Sequence, residues 1–132
     1  FTDPGATAVD AVGNSVTVTA SGTVNTAVSG TYTRTYSATD QWGNTATTTR
    51  TVKVYAPPVI TLVGSSSITI PHSNGTTWVD PGYSAVDSFG VTLTVTATGG
   101  GFKEKVGTYT VTYTATDAAG NTTTVTRTIT CT

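Results

Sequence analysis

Six aspartates recur at matched places in this chain: Asp3, Asp10 and Asp40, then Asp80, Asp87 and Asp117. Carboxylates repeated in this way could ligate calcium, because hard cations take several carboxylate and carbonyl oxygens. The dense Asp-x-Asp-x-Asp spacing of a calcium loop is absent. Asp before Pro-Gly, or before x-x-Gly-Asn, instead suits a turn, where its oxygens accept backbone N–H groups. Turn formation is the stronger reading, and no cofactor is expected. Arg50 and Arg127 fall on the apolar parity of their strands. An unpaired guanidinium there is expensive, so each should pair with a carboxylate of its own copy, Asp10 and Asp87, or with carbonyls. His72 is the single histidine and has neither a second histidine nor an acid cluster beside it. It suggests neither a triad nor a zinc site. No nucleophile–base set or paired-acid site stands out, so an enzyme is the least expected class.

Other residues point to contact rather than catalysis. Trp42 and Gln41 stand at a turn tip, and Phe102 lies in a Gly-rich loop. Such aromatics suit a sugar, a surface or a neighbouring domain. Asn74 and Asn121 satisfy the N-glycosylation pattern. Asn121 has a second reason to be present, since Gly-Asn suits a tight hairpin turn. Cys131 aligns with Val54 of an earlier copy, which favours a small buried hydrophobe over an intermolecular disulfide.

What must position these residues is a β scaffold. Residues 107–130 alternate apolar residues with threonine, turn at Ala118-Ala119-Gly120-Asn121, and resume the alternation. That is a hairpin in period two. Tyr109, Val111, Tyr113 and Ala115 share one face, and the threonines between them share the other. Threonine suits the solvent face, being β-branched and able to hydrogen-bond to water. The outward threonine rows are also candidates for O-linked sugars. Nothing has helical periodicity, and short strands at regular spacing argue an all-β sandwich.

The hairpin occurs twice. Asp3-Pro4-Gly5 recurs as Asp80-Pro81-Gly82, and Gly30-Thr31-Tyr32-Thr33 as Gly107-Thr108-Tyr109-Thr110, both at an offset of 77 positions. The alignment runs without a gap from Phe1/Trp78 to Tyr55/Thr132, as in a tandem array. The expected organisation is residues 1–55, a Pro-rich linker at 56–58, and residues 59–132. The second copy alone owns a leading segment, residues 59–77, in which residues 59–63 and 67–70 read as one split first strand. The first copy should therefore expose an unpaired edge and an open core groove. Three explanations are open: a window cut from a longer array, a fragment, or a strand supplied by a neighbouring chain.

Composition narrows the setting. Charged residues are 10% of the chain and the net charge is −1, against about a quarter charged in ordinary domains. That gives no reason to expect nucleic acid or an anionic membrane as partner. No apolar run approaches the ~20 residues of a membrane-spanning helix. Threonine makes up roughly a quarter of the chain, well above ordinary usage. A Thr-, Ser- and Gly-rich chain of low charge looks exported or surface-bound. The single cysteine excludes an internal disulfide framework.

These motifs together resemble a known family. Asp-Pro-Gly, then Gly-Thr-Tyr-Thr-x-Thr-Tyr-x-Ala-Thr-Asp-x-x-Gly-Asn-Thr, then an Arg-Thr-containing last strand, is similar to the bacterial Ig-like repeats of secreted and cell-surface proteins. It is similar also to hyalin-type repeats and to Ig-like accessory domains of pesticidal crystal proteins. The resemblance implies two tandem Ig-like β-sandwich domains, the first lacking its N-terminal strand. It places Tyr32 and Tyr109 where a tyrosine corner is expected. It implies a non-enzymatic module of an extracellular stalk, adhesin or filament. The partners would be copies of itself or neighbouring Ig-like repeats, with strand donation as one means of joining. The other reading is a carbohydrate- or surface-binding module that uses the loop-tip aromatics.

Overall fold

A computed structural model describes residues 1–72, 78–99 and 105–132. The expectations for Asn74 and Phe102 fall outside those residues. The chain divides into two compact units, Phe1–Val54 and Tyr55–Thr132, and every described element is a strand. The fold is all-β and Ig-like. None of the described residues forms a helix long and apolar enough to cross a membrane.

Unit 2 shows the complete pattern. Its strands are β6 (Val59–Leu62), β7 (Ser67–Ile70), β8 (Tyr83–Val86), β9 (Val95–Thr98), β10 (Gly107–Thr116) and β11 (Thr122–Cys131). One sheet has the order β7-β11-β10-β9 and the other pairs β6 with β8. The β10–β11 hairpin is paired in register over its whole length, from Gly107 opposite Cys131 to Thr116 opposite Thr122. Alternation puts Val111, Tyr113 and Ala115 inside, with threonines between them outside. Across the outer face Thr116 and Thr122 share a hydroxyl contact of 2.9 Å, and Thr114 and Thr124 one of 3.4 Å. Inside, Val111, Tyr113 and Ile129 form the core, covered by Ile60, Leu62, Ile70, Trp78, Val95 and Val125.

The leading segment forms two strands, with the split where the sequence places it. After β6 pairs antiparallel with β8, the chain crosses at Val63 to Ser66 so that β7 can pair parallel with β11. Gly64, at φ +75°, makes the crossing possible. The chain thereby contributes to both sheets and places Ile60, Leu62 and Ile70 against one core. Tyr55 and Ala56 also belong to this unit: the Tyr55 ring meets Phe89 edge-on at 4.8 Å, and the Ala56 N–H donates to Ser88 Oγ at 3.2 Å. Pro58 is buried, and its carbonyl accepts from Thr123 Oγ1 at 2.7 Å. Tyr55, Ala56 and Pro58 thus contact the rest of unit 2.

Unit 1 repeats the pattern with less. Its strands are β1 (Ala8–Val9), β2 (Ser15–Val16), β3 (Val18–Ser21), β4 (Gly30–Thr39) and β5 (Thr45–Val54). β3, β4 and β5 form one sheet and β1 pairs with β2. The β4–β5 hairpin matches β10–β11 residue for residue. Even the small β1–β2 pairing has its counterpart: Val9 opposite Ser15 in unit 1, Val86 opposite Thr92 in unit 2. Gly22 and Gly99 stand at matched places, just past β3 and just past β9. Each has positive φ, and a Cβ at either would collide with a backbone carbonyl, of Thr33 and Thr110 respectively. Among the described residues unit 1 has no counterpart of β6 or β7. So β5 ends its sheet where β11 is flanked by β7, and β1 lacks the partner that β8 finds in β6.

Candidate functional site

The open side of unit 1 is a groove between β1 and the inner face of β4 and β5. Ala6, Ala8, Val18, Tyr36, Ala38 and Ala46 line it, around a volume of about 130 Å³. One water takes ~30 Å³, so the groove has room for side chains. Among the described residues unit 1 has no counterpart of β6 to cover it. At the matched place in unit 2, Ile60 lies opposite Ala85 and helps cover the core. Ala85 is 2% exposed and Ile129 0%. Their counterparts Ala8 and Val52 are only half-buried.

A charged cluster sits at one end of this groove. Asp3 receives Arg34 through Nε and Nη2, at 3.0 and 2.7 Å, and Arg50 Nη1 at 2.9 Å. Tyr36 donates its hydroxyl to the same carboxylate at 2.6 Å. Arg34 also donates to the carbonyl of Gly22. Arg34 and Arg50 are direct partners across the β4–β5 ladder. Two like charges so placed repel, and the single carboxylate between them holds them together. The Tyr36 hydroxyl, the Gly5 N–H and the Arg34 guanidinium keep Asp3 well below the usual carboxylate range.

Unit 2 contains the neutral version. Arg127, 0% exposed, places Nη1 3.2 Å from Asp80 Oδ1, and Nη2 donates to the carbonyl of Val63 at 2.8 Å. Tyr113 donates to Asp80 Oδ2 at 2.5 Å, and its ring lies 5.8 Å under the Arg127 guanidinium. Burial first, and then the bond to Asp80, push the Tyr113 hydroxyl up to about 12.

The expected pairing of Arg50 with Asp10 and of Arg127 with Asp87 is therefore corrected: the partners are Asp3 and Asp80. Asp10 and Asp87 spend their oxygens on their own turns. Asp10 accepts from Val12 N, Asn14 N and Asn14 Nδ2, and Asp87 from Phe89 N and Val91 N. Asp3 and Asp80 each take one backbone donor, Gly5 or Gly82 two residues on, without the second donor four residues on that Asp10 and Asp87 receive, and so keep an oxygen for the arginine and tyrosine. The Asp-Pro-Gly spelling is the signal that separates the two kinds of aspartate.

The remaining candidates are scattered. Trp42 is 62% exposed at the β4–β5 turn beside the exposed Gln41. Asn121 donates its Nδ2 to Asp117 at 2.8 Å, so the nitrogen a sugar would occupy is already engaged. Tyr32 and Tyr109 send their hydroxyls back to the carbonyls of Val28 and Lys105, each at 2.9 Å. Those bonds tie down the entry to β4 and β10. Cys131 is buried and is in no disulfide. His72 is exposed. Among the described residues no three metal-ligating side chains gather.

The turn aspartates give the fold an acid signature. Asp10 and Asp40 lie below their ordinary value, mainly through the Asn14 and Asn44 hydrogen bonds. Asp117 is also lowered; burial raises it, but Asn121 and the turn N–H groups outweigh that. A depressed folded value stabilises above the unfolded value of 3.8 and is lost as pH falls through the folded value. The expected result is native circular dichroism and tyrosine fluorescence at pH 4, with unfolding well below 3.8. An acid midpoint at or above pH 4 would contradict this.

Comparison with known families matches residues 1–54 and again 60–131 to the model described as "Bacterial surface protein, Ig-like domain". No curated protein matches the chain.

Proposed function

The chain belongs to the family of bacterial surface protein Ig-like domains, and from that premise we propose that it is a load-carrying segment of an extracellular stalk, adhesin or filament. In this reading residues 1–55 and 59–132 are two serial Ig-like domains, and strand addition at unit 1 joins the segment to its neighbour. The observation that carries the reading is the groove of unit 1. It is lined by Ala6 and Ala8, whose counterparts Tyr83 and Ala85 lie opposite β6 in unit 2. An added strand would pair antiparallel with β1 and parallel with residues 51–54 of β5, as β6 and β7 do with β8 and β11. Such augmentation gains affinity from main-chain hydrogen bonds and specificity from alternate side-chain pockets.

The work of this segment is mechanical rather than catalytic. Two long hairpins, each paired over ten residues a strand, resist extension and proteolysis. The uncharged threonine faces keep the outside wet. The localisation that suits this is the cell surface or the medium outside it, with neighbouring Ig-like repeats as partners. The test is to supply unit 1 with its missing strands, as set out in the Discussion.

A second reading has one observation in its favour, the exposed Trp42 at a turn tip. A carbohydrate- or surface-binding module would use it as a stacking platform. If so, Trp42→Ala abolishes binding to a glycan array while leaving the unfolding of unit 1 unchanged. An array with no hit for the parent chain, or undiminished binding by the variant, removes this reading.

A further inference from the structure

The chain passes from one repeat to the next with no slack. Val54 is the last residue of β5 and pairs with Gly30. The next residue, Tyr55, is already held by unit 2, where its ring meets Phe89 edge-on at 4.8 Å. The Ala56 N–H donates to Ser88 Oγ at 3.2 Å, and the Pro58 carbonyl accepts from Thr123 Oγ1 at 2.7 Å. Tyr55 and Ala56 are half-buried and Pro58 is buried, which leaves Pro57 as the exposed residue of the four. Residues 55–59 lie between the two stretches that match the family.

The receiving groups are peculiar to unit 2. Ser88 and Phe89 lie in the turn that Asp87 closes after β8, and Thr123 is the second residue of β11. At the matched places unit 1 has Ala11, Val12 and Ala46. The local fold does not require the hydroxyls or the ring. Asp10 closes the same turn around Ala11 and Val12, and Ala46 pairs with Ala38 as Thr123 pairs with Ala115. What the three residues add in unit 2 is contact with residues 55–58. Little entropy opposes that contact. Pro57 and Pro58 fix their own φ, and each proline pushes the residue before it toward an extended backbone. A segment so preorganised can be held by a few contacts.

We infer that Ser88, Phe89 and Thr123 form a docking site for the chain's own residues 55–58. Docking makes the Pro-Pro stretch a fixed extension of unit 2 and leaves the backbone between Val54 and Tyr55 as the place where the chain can bend. The site takes an aromatic residue, a small residue with a free N–H, and a proline carbonyl. All of these groups belong to unit 2, so the inference stands apart from strand addition at unit 1.

The test is nitrogen-15 relaxation and amide exchange on the full chain. The amides of Tyr55 and Ala56 are expected to show order parameters near the ~0.85 of rigid backbone. In the triple variant Ser88→Ala, Phe89→Val and Thr123→Ala, which places the residues of unit 1 at the matched positions, they should fall below ~0.6. Exchange of the Ala56 amide should quicken at least about tenfold. Tyr55→Thr, which leaves the receiving residues untouched, should move both readings in the same direction. Order parameters below ~0.6 in the parent chain overturn the inference. So do unchanged readings in either variant with the β10–β11 amides still protected, because the prolines alone would then account for the stiffness.

Discussion

Asp80→Ala is expected to destabilise unit 2 by about 3–5 kcal/mol, the range for stripping the partner from a buried charge. Arg127 has no exposed surface and cannot turn to water for a replacement. Tyr113 loses the acceptor of its 2.5 Å bond at the same time, and the Gly82 N–H loses its turn partner. The measurement is denaturant unfolding followed through Trp78, which packs on the unit 2 core. Adding Arg127→Met should recover most of the loss, because a hydrophobic replacement of both charges leaves no unbalanced ion. A double variant as unstable as Asp80→Ala alone would show that the aspartate acts through its turn. Asp3→Ala should cost unit 1 less, since water reaches Arg34 and Arg50.

Much of this fold is legible in the sequence, and the reasons are local. Strict alternation from Gly107 to Thr116 states which side chains face inward, and Val111, Tyr113 and Ala115 are buried as that parity requires. The Asp-x-x-Gly turns at Asp10, Asp40, Asp87 and Asp117 all close the same way, with the aspartate carbonyl accepting from the glycine N–H at 3.1 Å. The offset of 77 positions makes the repeat of the hairpin visible before any coordinates. Two features are not local and escape such reading. The crossing between β6 and β7 depends on which sheet edges are open, and period two says nothing about that. The arginine partners depend on which carboxylates the turns have already consumed. Asp10 and Asp87 each accept two backbone N–H groups and Asp3 and Asp80 one, a difference that appears only when donors are counted.

The second large effect concerns the groove itself, and it tests the central claim that unit 1 is an acceptor for two strands. A copy of residues 58–77 is placed directly ahead of Phe1, which aligns with Trp78, so the added segment enters in the register it has in unit 2. The added Ile60 and Leu62 positions would enter the groove lined by Ala8, Tyr36 and Ala38. The added Ser67–Ile70 stretch would pair with residues 51–54, as β7 pairs with β11. Each aliphatic side chain so covered contributes on the order of 1 kcal/mol when half-buried. The account predicts that amide exchange of residues 51–54 slows at least about tenfold and that the melting temperature of unit 1 rises by more than about 5 °C, with unit 2 unchanged. Unaltered exchange at those amides in a folded fusion would contradict it.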